Sequence, residues 1–397
     1  MRRVNGDVKG VLIASLVVFS LTVAALVAGV SVSTWSSPRF STLQGLLGST
    51  GMVELNGSVP YIPQGAVQLS ADLNLAQNIT VFLGFNTVNN ALLDQFLQGV
   101  SSPSSPIYGH YLSHDTFMEW FEPNESTYNS VATYYESHGL SVLPSNDRLY
   151  MGLEGSILNV ESAFNTTFAL YNTSLGVYYF NIKPIYVPSS FAGVVSSAIG
   201  FTDYPYFIPQ LLVNPASNLS VTQALNDINN GFGGAASPQP PYTPYALYKA
   251  YDELSLLDAG YQGQFETVAV TDAYGDPTAS TDMATYDALY NVSAPASFQV
   301  LYPYGTPNIE GTLTQYENAV LTLWEVESAL DFELAHAFAP QANIVSVVSP
   351  DAGYTLIQSL VYVITNHLAD VVSNSWGAPE PEVGEFITYV HPFFKMA

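Results

Sequence analysis

The sequence predicts two folded domains, an α+β domain followed by an α/β domain built on a parallel sheet. In residues 67–203, short β-prone runs and amphipathic helices alternate without a regular order. From residue 242 onward strands and helices alternate regularly, which is typical of a parallel sheet flanked by helices. Residues 204–241 are rich in Pro, Gly, Asn and Ser and predict a linker. A chain of 397 residues accommodates both domains.

The composition limits the classes of function. Hydrophobic residues make up 48% of the chain, which supports a substantial core and excludes global disorder. The 33 acidic residues face only 8 basic ones, so no basic patch exists to bind nucleic acid. Charged residues total only 10%, and such a surface suits acid, where protonated carboxyls leave the net charge small. Cysteine is absent, which excludes disulfides, thiolate metal sites and a cysteine nucleophile.

The amino terminus predicts export. Arg2, Arg3 and Lys9 precede an apolar run over residues 11–32 that is long enough to span a bilayer. Residues 1–35 therefore predict either a cleaved signal peptide or a hydrophobic helix that stays as a membrane anchor, and both interpretations remain open. Residues 36–66 predict a spacer. We expect the rest of the protein to be extracellular, secreted or anchored to the outer face of the membrane.

Each element of the first domain follows from a local pattern. Residues 78–85 alternate apolar and polar positions and predict a strand. Three stretches predict helices, and Gly139 marks the carboxyl end of the second. The predicted helices are 89–100, 123–139 and 161–169, and the further strands are 140–143, 149–153 and 177–182.

The second domain is predicted by the same reasoning. The strands are 267–271, 298–302, 344–349 and 370–374, and the helices are 282–290, 313–339 and 355–367. In a parallel sheet the carboxyl ends of the strands meet at one edge, where ligands bind. Asp272, Asp276, Glu327, Asp331 and residues 373–377 are expected to gather there.

Two carboxylates stand out on the long helix. Glu327 and Asp331 are four residues apart, so both project from one side of an otherwise apolar helix. Burying such a pair is costly unless the two groups share a proton or serve chemistry. Two solvated acids on a helix surface are the alternative, and the segment alone does not decide between them.

A carboxylate base suits acid conditions. A histidine base, with a pKa of about 6.5, is protonated in acid and cannot accept a proton. A carboxylate, with a pKa of about 4, still accepts a proton from a serine, especially when a second carboxyl hydrogen-bonds to it.

The first domain resembles the activation prodomain of the sedolisins, which are serine-carboxyl peptidases such as kumamolisin. The resemblance rests on the order and spacing of four stretches: residues 101–117, 137–140, 160–166 and 183–201. It implies a ferredoxin-like antiparallel sheet that assists folding and inhibits the zymogen until acid releases it. Residues 204–241 are then the place where processing is expected.

Residues 242–397 resemble the amino-terminal part of the sedolisin catalytic domain. The matching stretches are 242–252, 268–277, 327–331 (E-S-A-L-D), 336–342 and 371–377, which ends in S-N-S-W-G. The resemblance implies a subtilisin-like parallel sheet with flanking helices. It also implies that Glu327 is the general base, that Asp331 orients it and that Asp272 extends the proton network. Ser375, Trp376 and Gly377 are implied to pair with the backbone of the substrate.

In the family, the nucleophilic serine, the aspartate of the oxyanion site and a calcium site follow these stretches. We therefore expect them beyond Ala397, and we expect no metal and no cofactor in residues 1–397. The hypothesis is an exported, acid-acting serine-type peptidase precursor that is truncated here and inactive alone, either incomplete or half of a split pair. Its expected partners are peptide or protein substrates, its own prodomain packed on the catalytic part, and a missing carboxyl-terminal half.

Other interpretations stay open. A non-catalytic surface inhibitor or binding protein derived from such a peptidase is one alternative. A subtilisin-type enzyme with Asp272 as the triad acid is another, disfavoured because no His-Gly-x-His stretch follows. His336 is expected to be an ordinary histidine near a helix end, and His110, His114 and His138 show no zinc-site spacing. Asp276 and Asp282 are expected to cap a turn and a helix start.

Overall fold

The computed structural model describes residues 51–210, 243–307 and 315–397. The predicted leader, the start of the spacer and most of the linker lie outside the described residues, so these predictions stay predictions. Within the described ranges, no helix has the length and apolarity needed to cross a bilayer.

Residues 51–203, here called the amino-terminal part, form three antiparallel sheets with helices. The strands are β1 (Met52–Glu54), β2 (Val67–Gln68), β3 (Asn78–Phe85), β4 (Ser141–Val142), β5 (Tyr150–Ser156), β6 (Phe168–Thr173), β7 (Gly176–Asn181), β8 (Tyr186–Pro188) and β9 (Val195–Ile199). The helices are α1 (Asn90–Ser101), α2 (His114–Phe121), α3 (Glu125–Ser137) and α4 (Ile157–Phe164). The sheets have the orders β4-β5-β3-β9, β2-β6-β7 and β1-β8.

Strand β3 is the centre of the largest of these sheets and has two different faces. Val81, Leu83 and Phe85 are fully buried in a core shared with helices α3 and α4. Phe82 belongs to a second core on the opposite face. Because successive side chains of a strand point to opposite faces, β3 joins two layers that each bury apolar side chains against it.

Residues 243–397, the carboxyl-terminal part, form the α/β layer. The strands are β11 (Thr267–Ala273), β12 (Ser297–Leu301), β13 (Asn343–Ser349), β14 (Val371–Ser373) and the short β15 (Trp376–Gly377), and β10 (Ile208–Pro209) precedes them in the chain. The helices are α5 (Pro244–Ala250), α6 (Leu254–Asp258), α7 (Ala279–Tyr290), α8 (Gln315–Phe338), α9 (Tyr354–Thr365) and α10 (Gly384–Met396).

Four of these strands form a parallel sheet with the order β12-β13-β11-β14. Val270 of β11 packs with Met283 of α7 and Phe332 of α8 on one face. Ala269 packs with Val363 of α9 on the other face. The predicted mixed α/β fold with helices on both faces of a parallel sheet is confirmed at this level.

The two parts share one core. Helix α10 lies against β9 and β3, and the buried rings of Tyr389 and Phe393 join the cluster that contains Phe82. Gly84 of β3 lies beneath this helix, where a Cβ atom would come within 3.0 Å of the ring of Tyr389. The surface of the sheet therefore has no room for a side chain at this position.

The helix predicted at 161–169 is present between two strands, but it spans Ile157–Phe164 and so begins and ends earlier than predicted. Helix α4 begins earlier because the hydroxyl of Ser156 caps it, accepting a hydrogen bond from the Asn159 backbone. It ends at Asn165, whose left-handed backbone (φ 47°) reverses the chain into strand β6. Helix α2 was not predicted. Ser113 caps it in the same way, because its hydroxyl accepts a hydrogen bond from the Thr116 backbone.

A buried carboxyl makes the stability of the fold depend on pH. Asp147 is 3% exposed, one of its oxygens accepts from the Leu149 backbone, and burial raises its pKa to about 7. The folded state therefore binds a proton that the unfolded chain releases at a pH of about 4. This contribution is fully present in acid and is lost as the pH rises from about 4 to about 7.

We expect the melting temperature to decrease as the pH rises from 4 to 7.5. We expect Asp147→Asn to reduce the slope of that decrease. Thermal unfolding followed by circular dichroism across the pH range measures both. Asp72→Asn, at an exposed position, is the matched control. An unchanged slope in Asp147→Asn would contradict the assignment.

Candidate functional site

Asp272 lies at the carboxyl end of β11 and is completely buried. Two residues earlier, Val270 faces α7 and α8, so the alternation of the strand places Asp272 on the same face. Burial, together with the charges of Asp331 and Glu327, raises the pKa of Asp272 well above its ordinary value, while the hydroxyl of Ser328 opposes the change. Asp272 therefore holds its proton in acid and is able to donate it in a hydrogen bond.

Glu327 and Asp331 stand on the face of α8 that meets this strand end. Glu327 is 2% exposed, and Asp331 is half-buried. Burial raises the pKa of Asp331, and the hydrogen bond from Ser375 opposes the change. The charges of Glu327 and Asp331 both act on Asp272, so the ionisation of one carboxyl disfavours that of its neighbours. The alternative of two solvated acids on a helix surface does not fit this burial.

The strand end after β14 completes the site. The hydroxyl of Ser375 donates to Asp331 Oδ1 over 2.8 Å. The indole nitrogen of Trp376 donates to the carbonyl oxygen of Thr271, the residue before Asp272, over 2.7 Å. Thr271 also hydrogen-bonds through its hydroxyl to Asn374. Hydrogen bonds thus connect Asp331 of α8 and Thr271 of β11 to the stretch around β15, and the charges of Glu327 and Asp331 act on Asp272.

A strand from the same chain lies along this edge. Ile208 and Pro209 of β10 pair antiparallel with Gly377 and Trp376. The backbone nitrogen of Gln210 donates to the Ser375 carbonyl oxygen over 2.7 Å. Residues 204–210, here called the cleft segment, were assigned to the linker by composition, and the structure shows them packed and paired.

The other candidate residues serve local structure. His336 is fully buried, with its Nε2 atom 2.8 Å from the Ser293 carbonyl oxygen and 3.1 Å from Asp287 Oδ1. This contact fixes α8 against α7 rather than serving Asp331. Asp276 accepts from the backbone and hydroxyl of Thr278, and Asp282 accepts from the same hydroxyl. Both therefore act at the turn and helix start, as expected from the sequence.

Sequence reasoning missed three features around the site. Ser328 lies beside Asp272, and no sequence pattern distinguishes it from any other helix serine. Phe207 packs on Trp376, although it stands in a stretch that reads as a linker. His114 of α2 meets His367 at the end of α9, with ring centroids 4.0 Å apart, a contact between residues far apart in the chain.

Across the described residues, no group of three or more His, Cys, Asp or Glu side chains is arranged to hold a metal ion.

Comparison with known proteins found one matching family model and similar peptidases. Residues 66–204 match the family model of the pro-kumamolisin activation domain. The chain is similar to the sedolisins over part of its length. It is 26% identical over 149 residues to sedolisin of Pseudomonas sp. (strain 101), which covers 37% of this chain and 25% of that protein. It is 24% identical over 223 residues to xanthomonalisin of Xanthomonas sp. (strain T-22), which covers 52% of this chain and 26% of that protein.

Both proteins are sedolisin-type serine peptidases, and the chain matches about a quarter of the length of each. Residues 66–204 are therefore similar to a peptidase activation domain. The prediction of a sedolisin-family chain is confirmed.

Proposed function

We propose that this chain carries the prodomain and the acid–base half of an exported serine-carboxyl peptidase that acts in acid. The observation that carries the proposal is the hydrogen bond between Ser375 and Asp331. It connects the buried carboxyl cluster to the strand that accepts a peptide backbone.

In this proposal Glu327 is the general base. It accepts the proton of a serine hydroxyl as that oxygen attacks the carbonyl carbon of the scissile peptide bond, and it returns the proton to the leaving amine. Asp331 orients Glu327 and shares its proton, and Asp272 extends the network into the core. Such a chain of carboxyls supports base catalysis at a pH where imidazole is protonated. The serine itself is assigned to no residue of this chain.

Backbone pairing at β15 is proposed to bind the substrate. The cleft segment supports this, since an extended stretch of the chain already pairs there through Ile208, Pro209 and Gln210. We propose that it holds the cleft closed in the precursor. The parallel sheet with flanking helices supports a subtilisin-like assignment of the carboxyl-terminal part. The order β4-β5-β3-β9, with α3 and α4 on one face, supports a ferredoxin-like prodomain.

We propose an extracellular location. The basic flank and apolar run at the amino terminus support export, and the low number of charged groups supports work in acid. Processing within the remaining linker would then separate the prodomain from the peptidase.

Measuring the peptidase activity of the protein expressed from its complete gene tests the proposal. We expect it to cleave a protein substrate between about pH 3 and pH 5, after acid treatment, and to lose that activity near neutrality. Reading the gene beyond codon 397 for a G-T-S motif is the accompanying observation. A complete gene product that binds peptides without hydrolysing them in this range would favour the non-catalytic binding protein.

Opening the cleft segment is a separate prediction. In an antiparallel ladder, hydrogen-bonded pairs alternate with non-bonded ones. The bond from Gln210 to Ser375 therefore makes Ile208 and Gly377 a bonded pair. Ile208→Pro removes the backbone N–H of residue 208 from this bonded pair. The isoleucine side chain that it replaces is already 43% exposed. We expect the Gln210 amide to exchange with deuterium at least about tenfold faster.

Pro209→Ala is the matched control, since Pro209 occupies the non-bonded pair and its replacement leaves the ladder intact. Equal exchange in the two variants would contradict the register described here.

A further inference from the structure

Phe207 is a buried side chain of the cleft segment. It is 6% exposed, whereas the next residue, Ile208, is 43% exposed. Its ring lies 4.9 Å from that of Trp376 at 69°, and 5.4 Å from that of Phe386 at 52°. Both arrangements are of the kind that aromatic pairs favour.

The pocket around Phe207 belongs to the carboxyl-terminal part. Trp376 comes from β15 and Phe386 from α10. Ala352, in the loop after β13, accepts a hydrogen bond from the Phe207 backbone over 3.0 Å. The pocket is therefore made by the part of the molecule that would remain after the prodomain leaves.

The backbone of the cleft segment is held on both sides of this ring. The Phe207 nitrogen bonds to Ala352, and three residues later the Gln210 nitrogen bonds to Ser375. The hydroxyl of Ser375 in turn contacts Asp331. Any peptide bound in the same register places one side chain in the Phe207 pocket and the residue three positions later beside the carboxyl cluster.

We infer that the cleft selects peptides by one aromatic side chain, which occupies the Phe207 pocket. This side chain lies three positions before the residue that sits beside the carboxyl cluster. Phe386 and Trp376 determine the selectivity. The inference rests on the proposed function, because it names a substrate class for that same site. A flat ring fills the space between two rings, whereas a methyl group leaves both aromatic faces uncovered.

A peptide-binding experiment tests the pocket without requiring turnover. The full chain carrying Ile208→Pro and Phe207→Ala has a loosened cleft segment and an empty pocket. The probes are two synthetic heptapeptides, Tyr-Pro-Tyr-Phe-Ile-Pro-Gln and the same sequence with Ala in place of Phe. Titration followed by tryptophan fluorescence should show the Phe peptide binding at least about tenfold more tightly.

Adding Phe386→Leu to this chain should remove most of the difference between the two peptides. Circular dichroism verifies folding, and Phe394→Leu, at a side chain of the same helix that is 58% exposed, is the control that should keep the difference. Equal affinity of the two peptides for the folded chain would overturn the inference.

A second measurement separates this inference from the proposed function. With the active product of the complete gene, substrates with Phe or Tyr at the selected position should be cleaved at least about tenfold faster than those with Ala. Tight, aromatic-dependent peptide binding without any hydrolysis would leave the pocket standing and overturn the peptidase proposal. Hydrolysis with no preference at this position would support the peptidase proposal and overturn the inference about the pocket.

Discussion

Glu327→Gln is expected to abolish acid peptidase activity in the product of the complete gene. The substitution keeps the size and hydrogen-bonding shape of the side chain but removes its ability to accept a proton. General base catalysis contributes up to about 10⁴-fold to a rate, so kcat should fall by about a thousandfold or more. KM should change little, because the cleft segment contacts β15 and the loop after β13 rather than Glu327. Initial rates at several pH values measure both constants.

Glu325→Gln is the matched control for this experiment. Glu325 lies on the same helix and is also partly buried, but its acidic neighbours are Asp276 and Asp282 rather than the site carboxyls. Its replacement should leave kcat within about twofold of the parent, as for a surface substitution away from the site. Full turnover in Glu327→Gln would remove the general-base assignment, whatever the control shows.

Gly84→Val is expected to separate the two parts of the molecule or to unfold both. A Cβ atom at this position would meet the hydroxyl of Ser197 and come within 3.0 Å of the buried ring of Tyr389. The ring is held by Phe393 and by a hydrogen bond with Gln358, so it has little freedom to move. Overpacking of this kind typically costs about 1–3 kcal/mol, and the cost here should reach the upper end of that range. Urea unfolding measures it.

Gly193→Val is the control for backbone and β-branching effects. No heavy atom lies within 4 Å of a Cβ atom built at Gly193, and its φ is not positive. We expect a change in the free energy of unfolding of less than about 0.5 kcal/mol. A loss of stability as large as that of Gly84→Val would show that packing under α10 is not the cause.

Local patterns were sufficient to predict the elements that position the candidate site. Strand β11 carries Asp272 next to its carboxyl end, α8 carries two acids at a spacing of four, and β14 leads into Ser375 and Trp376. Because parallel strands end at one edge, these short-range patterns were enough to bring Asp272, Glu327 and Asp331 together. Their catalytic roles stay predictions that the kinetic experiment decides.

The cleft segment could not be predicted in the same way. Pro209 and its Pro-rich surroundings indicate a linker, because proline interrupts a regular ladder. The residue is nevertheless compatible with β10, since it falls at a pair that makes no hydrogen bonds. Phe207 is equally uninformative in sequence, because its burial depends on Trp376 and Phe386, which are distant in the chain. The early start of α4 depended on a cap at Ser156 that the apolar spacing did not reveal.

The position of helix α10 has a consequence for the order of assembly during translation. The ribosome releases the whole antiparallel sheet of the amino-terminal part long before residues 384–396 are made. When this helix emerges, the surface that covers Tyr389 and Phe393 already exists. A nascent chain can thus bury these rings on arrival, whereas a chain deprived of residues 78–199 would expose them to water and to other chains. The amino-terminal part would in this sense act as a template that is made before the segment it shapes.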